Sequence, residues 1–375
     1  MPAVAILTSV HGPFDPRVFH KQARALAAAG YRVTLLAPHE RDERRAGVRV
    51  RGLPPPRSRA GRPLLWLRLL GRALRLRADV YHLHDPELLP LGLLLAALTG
   101  RPVVYDAHEY YRDEIATRRW LPRLLRRPAA EAVHALETLA VRRLAAVVAV
   151  NEHMAAGFRA RGARRVVAVH NYPPLALFPR RPRAERPAPI AVYTGLLTRE
   201  RGLEIVWRAG RRLRALLPGA EVRVVGRVDW AGVDPAVPRA PERWQEEAAT
   251  HLCGTVPAEA VADVLAGAAV GWLPFQPTPN NARAIPLKLL EYMAAGLPVV
   301  ASDVGVSAAI VRREGCGLVV PPDDPEAHAR ALARLLSDAD AARTLGGRGR
   351  RAVAARYTWE AEAKRLLELY AELAR

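Results

Sequence analysis

Lys288 and Glu291 stand three residues apart in the run Asn280-Asn281-Ala282-Arg283-Ala284-Ile285-Pro286-Leu287-Lys288-Leu289-Leu290-Glu291-Tyr292-Met293-Ala294-Ala295-Gly296-Leu297-Pro298. Three residues is nearly one helical turn, so the cation and the carboxylate share a face. Pro286 suits a first helical position, Gly296 the residue just past the end, and Pro298 blocks continuation; this predicts a helix of about ten residues, then a strand from Val299 to Asp303. The start of that helix offers unpaired backbone N–H groups to an anion. A nucleoside diphosphate fits such an arrangement, with Lys288 on the phosphates and Glu291 accepting from the ribose hydroxyls. A surface Lys–Glu pair on an ordinary helix is the alternative, but both residues lie among apolar neighbours, where an unpaired charge is costly.

Two further segments suit the same ligand. Tyr193 to Gly202 reads as a strand end, a loop opened by Gly195 and a helix start, a layout that brings backbone and the Arg201 cation close to phosphate. Val224-Val225-Gly226 ends another strand. Nearer the N-terminus, Ser9-Val10-His11-Gly12-Pro13-Phe14-Asp15-Pro16-Arg17 follows the first strand. A dinucleotide oxidoreductase would show G-x-G-x-x-G there, and only Gly12 is present. Arg17 is either a ligand for an acceptor phosphate or a solvated arginine. Two more strands end in polar residues, one in His84 and Asp85, the other in Asp106, His108 and Glu109; strand ends are where open α/β sheets place their chemistry.

The elements that must position these residues follow from the hydrophobic pattern. Strand-like runs at Val4–Val10, Arg32–Ala37, Val80–His84, Val103–His108 and Ala145–Val150 alternate with helical segments. A Pro- and Arg-rich stretch interrupts them, and the alternation resumes at Ile190–Leu196, Val222–Val228, Val270–Pro274, Val299–Asp303 and Leu318–Val320. This predicts an α/β protein of two Rossmann-like parallel-sheet domains: 1–175 on the acceptor side, a linker 176–189, 190–356 for the nucleotide, and a helix 357–375 packing back on the first domain. The ligands are expected in the cleft where the strand ends of both domains converge.

The segment Pro286-x-Lys288-x-x-Glu291-Tyr292-Met293-Ala294-Ala295-Gly296-x-Pro298-Val299-Val300-Ala301-Ser302-Asp303 resembles the donor-binding signature of family 4 retaining glycosyltransferases, which have the GT-B fold. The resemblance extends over nearly the whole chain. It implies sugar transfer with retention from a nucleotide-sugar donor, which is a substrate, with no cofactor and no metal. Arg201 stands where the family has a Lys-Gly pair and would bind the pyrophosphate beside Lys288; Gly226 would lie against the base, and His108 matches a histidine approaching the donor sugar and acceptor. One departure concerns the sugar. The family often has a glutamate eight residues before the ribose glutamate, and Arg283 stands there; Asn280, Asn281 and the backbone of Ala282, Arg283, Ala284 and Ile285 would bind the sugar instead. Expected acceptors are a glycan, a lipid-linked glycan or a small molecule. An epimerase or phosphorylase on the same scaffold is the near alternative, and a non-catalytic basic polyanion-binding protein the distant one.

Fifty-seven Lys and Arg against 37 Asp and Glu leave a net charge of +20. Only three of the cations are lysines, so a retained lysine carries information. Such a field draws in anionic partners; an anionic membrane surface is expected and nucleic acid is not. Tryptophan, leucine and arginine in Pro63–Arg77 and Arg118–Arg127 suit shallow seating on anionic lipid. Without a signal peptide or a run of spanning length, the chain reads as cytoplasmic, peripheral on the inner face of the plasma membrane. Cys253 and Cys316 read as packing residues, Asp338-Ala339-Asp340 as a helix cap, and Gly346-Gly347-Arg348-Gly349 as a loop following a helix.

Overall fold

The computed structural model describes residues 1–55, 58, 61–117, 121–179 and 188–374. Residues 180–187 of the expected linker and Arg118, Arg119 and Trp120 of the second arginine-rich segment lie outside these. Contacts divide the chain into two compact units, Met1–Asn171 with Trp359–Arg375, and Tyr172–Thr358.

The first unit is built on β1 (Ala3–Leu7), β2 (Arg32–Pro38), β3 (Glu43–Arg45), β4 (Val48–Leu53), β5 (Val80–Leu83), β6 (Val103–Ala107), β7 (Ala146–Ala149) and β8 (Val166–Ala168), in the order β3-β4-β2-β1-β5-β6-β7-β8. All pairs are parallel except β3 with β4. The β3–β4 hairpin was not expected. Its turn is Ala46-Gly47, both at positive φ (47° and 81°) as a two-residue hairpin turn requires, and β4 alternates buried Val48 and Val50 with exposed Arg49 and Arg51. β1 is buried along its whole length, as a central parallel strand covered on both faces must be. The helices Arg62–Leu76, Leu89–Thr99 and Arg123–Val141 cover one face of the sheet, contributing Leu65, Leu69, Leu95 and Val141 to a core shared with Leu7, Leu83 and Tyr105. Val18 and Phe19, and Leu366, Leu369 and Tyr370 of the last helix, Trp359–Leu373, cover the other face against Val4, Ile6 and Val80.

The second unit holds β9 (Ile190–Thr194), β10 (Glu221–Val225), β11 (Thr250–Leu252), β12 (Val270–Leu273), β13 (Val299–Ser302) and β14 (Gly317–Val320), all parallel, in the order β11-β10-β9-β12-β13-β14. Three expectations change here. Gly346-Gly347-Arg348-Gly349 lies inside the helix Ala339–Arg356. A Cβ at Gly346 would stand 2.1 Å from the Gly296 carbonyl oxygen, and Gly349 faces Cys316 and Met293, so these glycines let that helix close on the helix Leu287–Ala294. Cys316 is buried, but Cys253 is exposed and is not a packing residue. Pro286 is the N-cap rather than the first helical residue, and the helix from Leu287 runs eight residues. Asp338 caps the next helix, its side chain accepting from the Ala341 N–H.

Candidate functional site

In the second unit the chemistry-bearing residues gather where β9 and β10 end. Gly195 (φ +90°) and Gly226 (φ +152°) follow these strands so closely that a Cβ on Gly226 would lie 2.1 Å from the Gly195 carbonyl oxygen; only glycine allows that approach. Thr198 then caps a short turn by accepting from the Arg201 N–H, and Gly202 (φ +89°) passes so near the Pro274 carbonyl that it has no room for a side chain. The helix Leu287–Ala294 is tied to this corner through Tyr292, whose hydroxyl accepts from the Thr194 N–H at 2.9 Å.

As the second residue of that helix, Lys288 is buried, with its Nζ 3.6 Å from the centroid of the Tyr193 ring and without a hydrogen-bond partner among the described residues. Gly195 is exposed, and a Cβ added there would stand 3.5 Å from Nζ. Burial holds the Lys288 ammonium well below the usual lysine range, the Arg201 guanidinium pushes it further, and Glu291 opposes both. Arg201 donates to the Leu196 carbonyl at 3.1 Å. Asn281 is buried, and its Nδ2 donates to the carbonyls of Glu200 and Gln276, so this amide ties two loops together. Ala284 and Ile285 are half-buried in extended chain before Pro286, and Arg283 is exposed.

In the first unit the hub is Asp106, fully buried on β6. It accepts from Arg17 Nε and Nη2, both at 3.0 Å, from Gln22 Nε2, and from His108 Nδ1 at 3.2 Å. Burial raises its carboxyl, but the Arg17 charge and the His108 hydrogen bond outweigh it and hold the group well below the usual carboxylate range. Arg17 spends its remaining nitrogen on the Val169 carbonyl. It is therefore a buried partner of Asp106, neither a solvated arginine nor a free ligand for an acceptor phosphate. Asp85 accepts from Thr8 Oγ1 and the Ser9 N–H and so shapes the loop after β1. His84 is fully buried and stacked on His82 at 4.6 Å; burial pushes His82 down to about 4 and His84 well below the normal histidine value, so both are neutral at pH 7. The last helix reaches the same hub, Tyr370 hydroxyl lying 2.6 Å from His82 Nδ1. His108 is largely buried and its Nε2 meets His11 Nε2 at 3.1 Å, while Gly12 is exposed with open space around its Cα and Glu109 is exposed too. His11, Gln22, Tyr193 and Tyr370 were not anticipated; only His11 carried a local signal, four residues before Asp15 in a loop already singled out.

Residues 16–172 match the family model for a glycosyl transferase 4-like domain, and residues 188–338 that for glycosyl transferases group 1. The chain belongs to the family 4 glycosyltransferases. Within that family it is 32% identical over 192 residues to a D-inositol 3-phosphate glycosyltransferase of Corynebacterium urealyticum, an alignment covering 50% of this chain and 43% of that protein. The chain thus spans less than half of that relative. It is 26% identical to a glycogen synthase of Mycobacterium tuberculosis across 94% of this chain and 90% of that one. The GT-B fold is shared with the sucrose-phosphate synthase of Thermosynechococcus elongatus, at TM-score 0.73 and 24% identity over 100% and 99% of the two chains. It is also shared with Anabaena HepE in complex with UDP-glucose, at TM-score 0.70 and 14% identity over 99% of each.

Proposed function

We propose that this family 4 protein transfers a sugar, with retention at the anomeric carbon, from a nucleoside-diphosphate sugar to a glycan, lipid-linked or small-molecule acceptor. The observation that carries this reading is the buried ammonium of Lys288, without a hydrogen-bond partner among the described residues, close to the exposed Gly195: a cation held dry with no hydrogen-bond acceptor is arranged for an anion that arrives from outside. Lys288 and Arg201 would take the negative charge that grows on the departing diphosphate, so no metal is needed for leaving-group stabilisation. Both oxygens of Asp106 already accept from N–H donors, which supports a reaction without a metal. The sugar–phosphate bond breaks as the acceptor oxygen bonds to the same carbon, and the acceptor proton leaves on the departing phosphate. Glu291 takes the ribose hydroxyls, Gly226 the base, and the backbone of Ala284 and Ile285 the sugar; His108 handles the acceptor. HepE was crystallised with UDP-glucose, which makes uridine the first base to try.

Calorimetric titration with UDP, GDP, ADP and dTDP in the presence of a chelator tests this. One nucleotide should bind selectively, and Glu291→Ala should weaken it by roughly tenfold to a hundredfold, the worth of hydrogen bonds to a charged group. No binding of any of the four to folded protein would remove the proposed roles of Lys288 and Glu291.

We also propose a cytoplasmic setting at an anionic membrane surface, as in polysaccharide or lipid-linked glycan assembly. No described helix is long and apolar enough to cross a membrane. Support comes from the helices Arg62–Leu76, Leu89–Thr99 and Arg123–Val141, which form one layer on the same face of the first sheet. Leu64, Leu67, Leu98 and Leu124 are exposed on it, Leu124 at 89%, beside exposed Arg68, Arg75 and Arg127, and the first two helices carry no acid. Leucine among uncompensated arginine matches the interface of an anionic bilayer. The protein should float with phosphatidylglycerol vesicles and not with phosphatidylcholine ones, less so in high salt, and Leu64→Ser with Leu67→Ser should abolish this; equal flotation of wild type and variant would refute the assignment.

A further inference from the structure

The two histidines His11 and His108 meet Nε2 to Nε2 at 3.1 Å. Their outer nitrogens both face carboxylates: His108 Nδ1 lies 3.2 Å from Asp106 Oδ1, and His11 Nδ1 lies 3.3 Å from Asp15 Oδ2. An ionised carboxylate only accepts, so each outer nitrogen carries a hydrogen, and the contact between the inner nitrogens needs one hydrogen more. Three hydrogens on two imidazoles make one positive charge on the pair. Its place follows from the neighbours. His11 Nε2 also lies 3.4 Å from Asp85 Oδ1, so His11 faces two carboxylates, whereas Asp106, the carboxylate facing His108 among the described residues, is already matched by Arg17. His82 and His84, the other histidines near His108, are neutral. His11 is therefore the imidazolium, donating from both nitrogens, and His108 is neutral with its lone pair at Nε2. Burial works against charge on His11, but the hydrogen bond to Asp15 and the charges of Asp85, Asp15 and Asp106 overcome it and raise the group above the normal histidine value. Its counterpart Asp15 is pulled low by His11 and by the N–H groups of Val18 and Arg17, against its own burial.

We propose that His11 is the positioning residue of His108: it fixes His108 in the tautomer with Nδ1–H toward Asp106 and keeps the Nε2 lone pair covered until an acceptor hydroxyl takes over that hydrogen bond. This rests on the reading of His108 as an acceptor-side residue. The handover has a direction in pH. Once His11 loses its proton it can no longer donate at both ends; one of its nitrogens then faces a lone pair, and it gives up His108 Nε2 or Asp15. Uncovering Nε2 then costs less, so the acceptor KM falls as pH rises through the His11 transition.

Nitrogen-15 NMR of the histidine rings in the ligand-free protein tests this without any substrate. Signals of His11 and His108 are assigned from the spectra of His11→Gln and His108→Gln. The expected result at pH 6 is a doubly protonated His11 and a neutral His108 protonated at Nδ1. His11 should lose a proton in one step above the normal histidine value, and in His11→Gln the His108 ring should lose its single tautomer while the rest of the spectrum shows a folded protein. His108 protonated at Nε2, or unchanged in His11→Gln, would overturn the proposal. If the protein turns over donor, the fall of acceptor KM with pH should also disappear in His11→Gln, with kcat moving less than KM. A protein that fails to transfer sugar but shows the expected rings would refute the proposed function and leave the positioning intact.

Discussion

Replacing Lys288 by Met should raise the melting temperature of the ligand-free protein and abolish nucleotide binding in the same variant. Methionine nearly preserves the volume of the side chain and removes an ammonium that, among the described residues, has the ring faces of Tyr193 and Phe275 and the charge of Glu291 to offset its desolvation. A buried donor left unsatisfied costs about 1–3 kcal/mol, and about 2–4 °C of melting temperature accompanies each kcal/mol for a unit of this size. The pH dependence separates this cause from a general packing gain. Lysine ionises near 10.5 in the unfolded chain and well below that in the fold, so between the two values the unfolded state binds more protons and stability climbs with pH. Wild type should show that climb and Lys288→Met should lack it. Ligand binding should run the linkage backwards. A diphosphate seated on Lys288 restores its charge, so binding in that pH window takes up a proton, visible as a difference in heat between two buffers of unlike ionisation enthalpy. A variant that is less stable at every pH and still binds nucleotide would end the assignment of Lys288 as the phosphate ligand.

How much of this was legible in the sequence depended on the range of the interaction. The helix bearing Lys288 and Glu291 is bounded by Pro286, Gly296 and Pro298, which act within a turn or two of themselves, and its place and face were readable directly. The strands that end at Gly195, His84 and Asp106 were likewise marked by local apolar runs. The hairpin of β3 and β4 was hidden because a third of β4, two residues of six, is arginine, in a chain where arginine is everywhere and its alternation with valine does not stand out. Arg17 was misread for a related reason. Its partner Asp106 is 89 residues away, and nothing near Arg17 distinguishes a buried arginine from a solvated one. Tyr370, 288 residues from His82, is further out of reach still. The glycines at 346 and 349 have a cause that only packing reveals: they make room for another helix and its C-terminal turn, not for phosphate.

Asp106→Asn should be the most damaging single substitution in the first unit. The carboxylate receives hydrogen bonds from Arg17, Gln22 and His108, and an asparagine amide would turn two N–H donors of its own into a ring of donors while leaving the buried Arg17 charge without a counter-ion. Breaking a buried ion pair from one side costs about 3–5 kcal/mol, a large part of the stability of any domain, and urea unfolding should show the midpoint falling accordingly. The double variant Arg17→Met with Asp106→Leu asks what the pair is for. Removing both charges together leaves no orphaned ion, so the double variant should recover most of the loss. Its acid limb should also change: the depressed Asp106 group lends wild type a contribution that is complete above the unfolded carboxyl value of 3.8 and disappears as pH falls toward the lower folded value, and the double variant should be correspondingly less sensitive. What should not return is the acceptor-side chemistry, because His108 loses the oxygen that fixes its Nδ1–H. A stable, inactive double variant would mean that the charge pair is kept for the histidine it orients rather than for the fold. A double variant as unstable as Asp106→Asn would instead make the pair a structural requirement of the sheet, with His108 orientation a by-product.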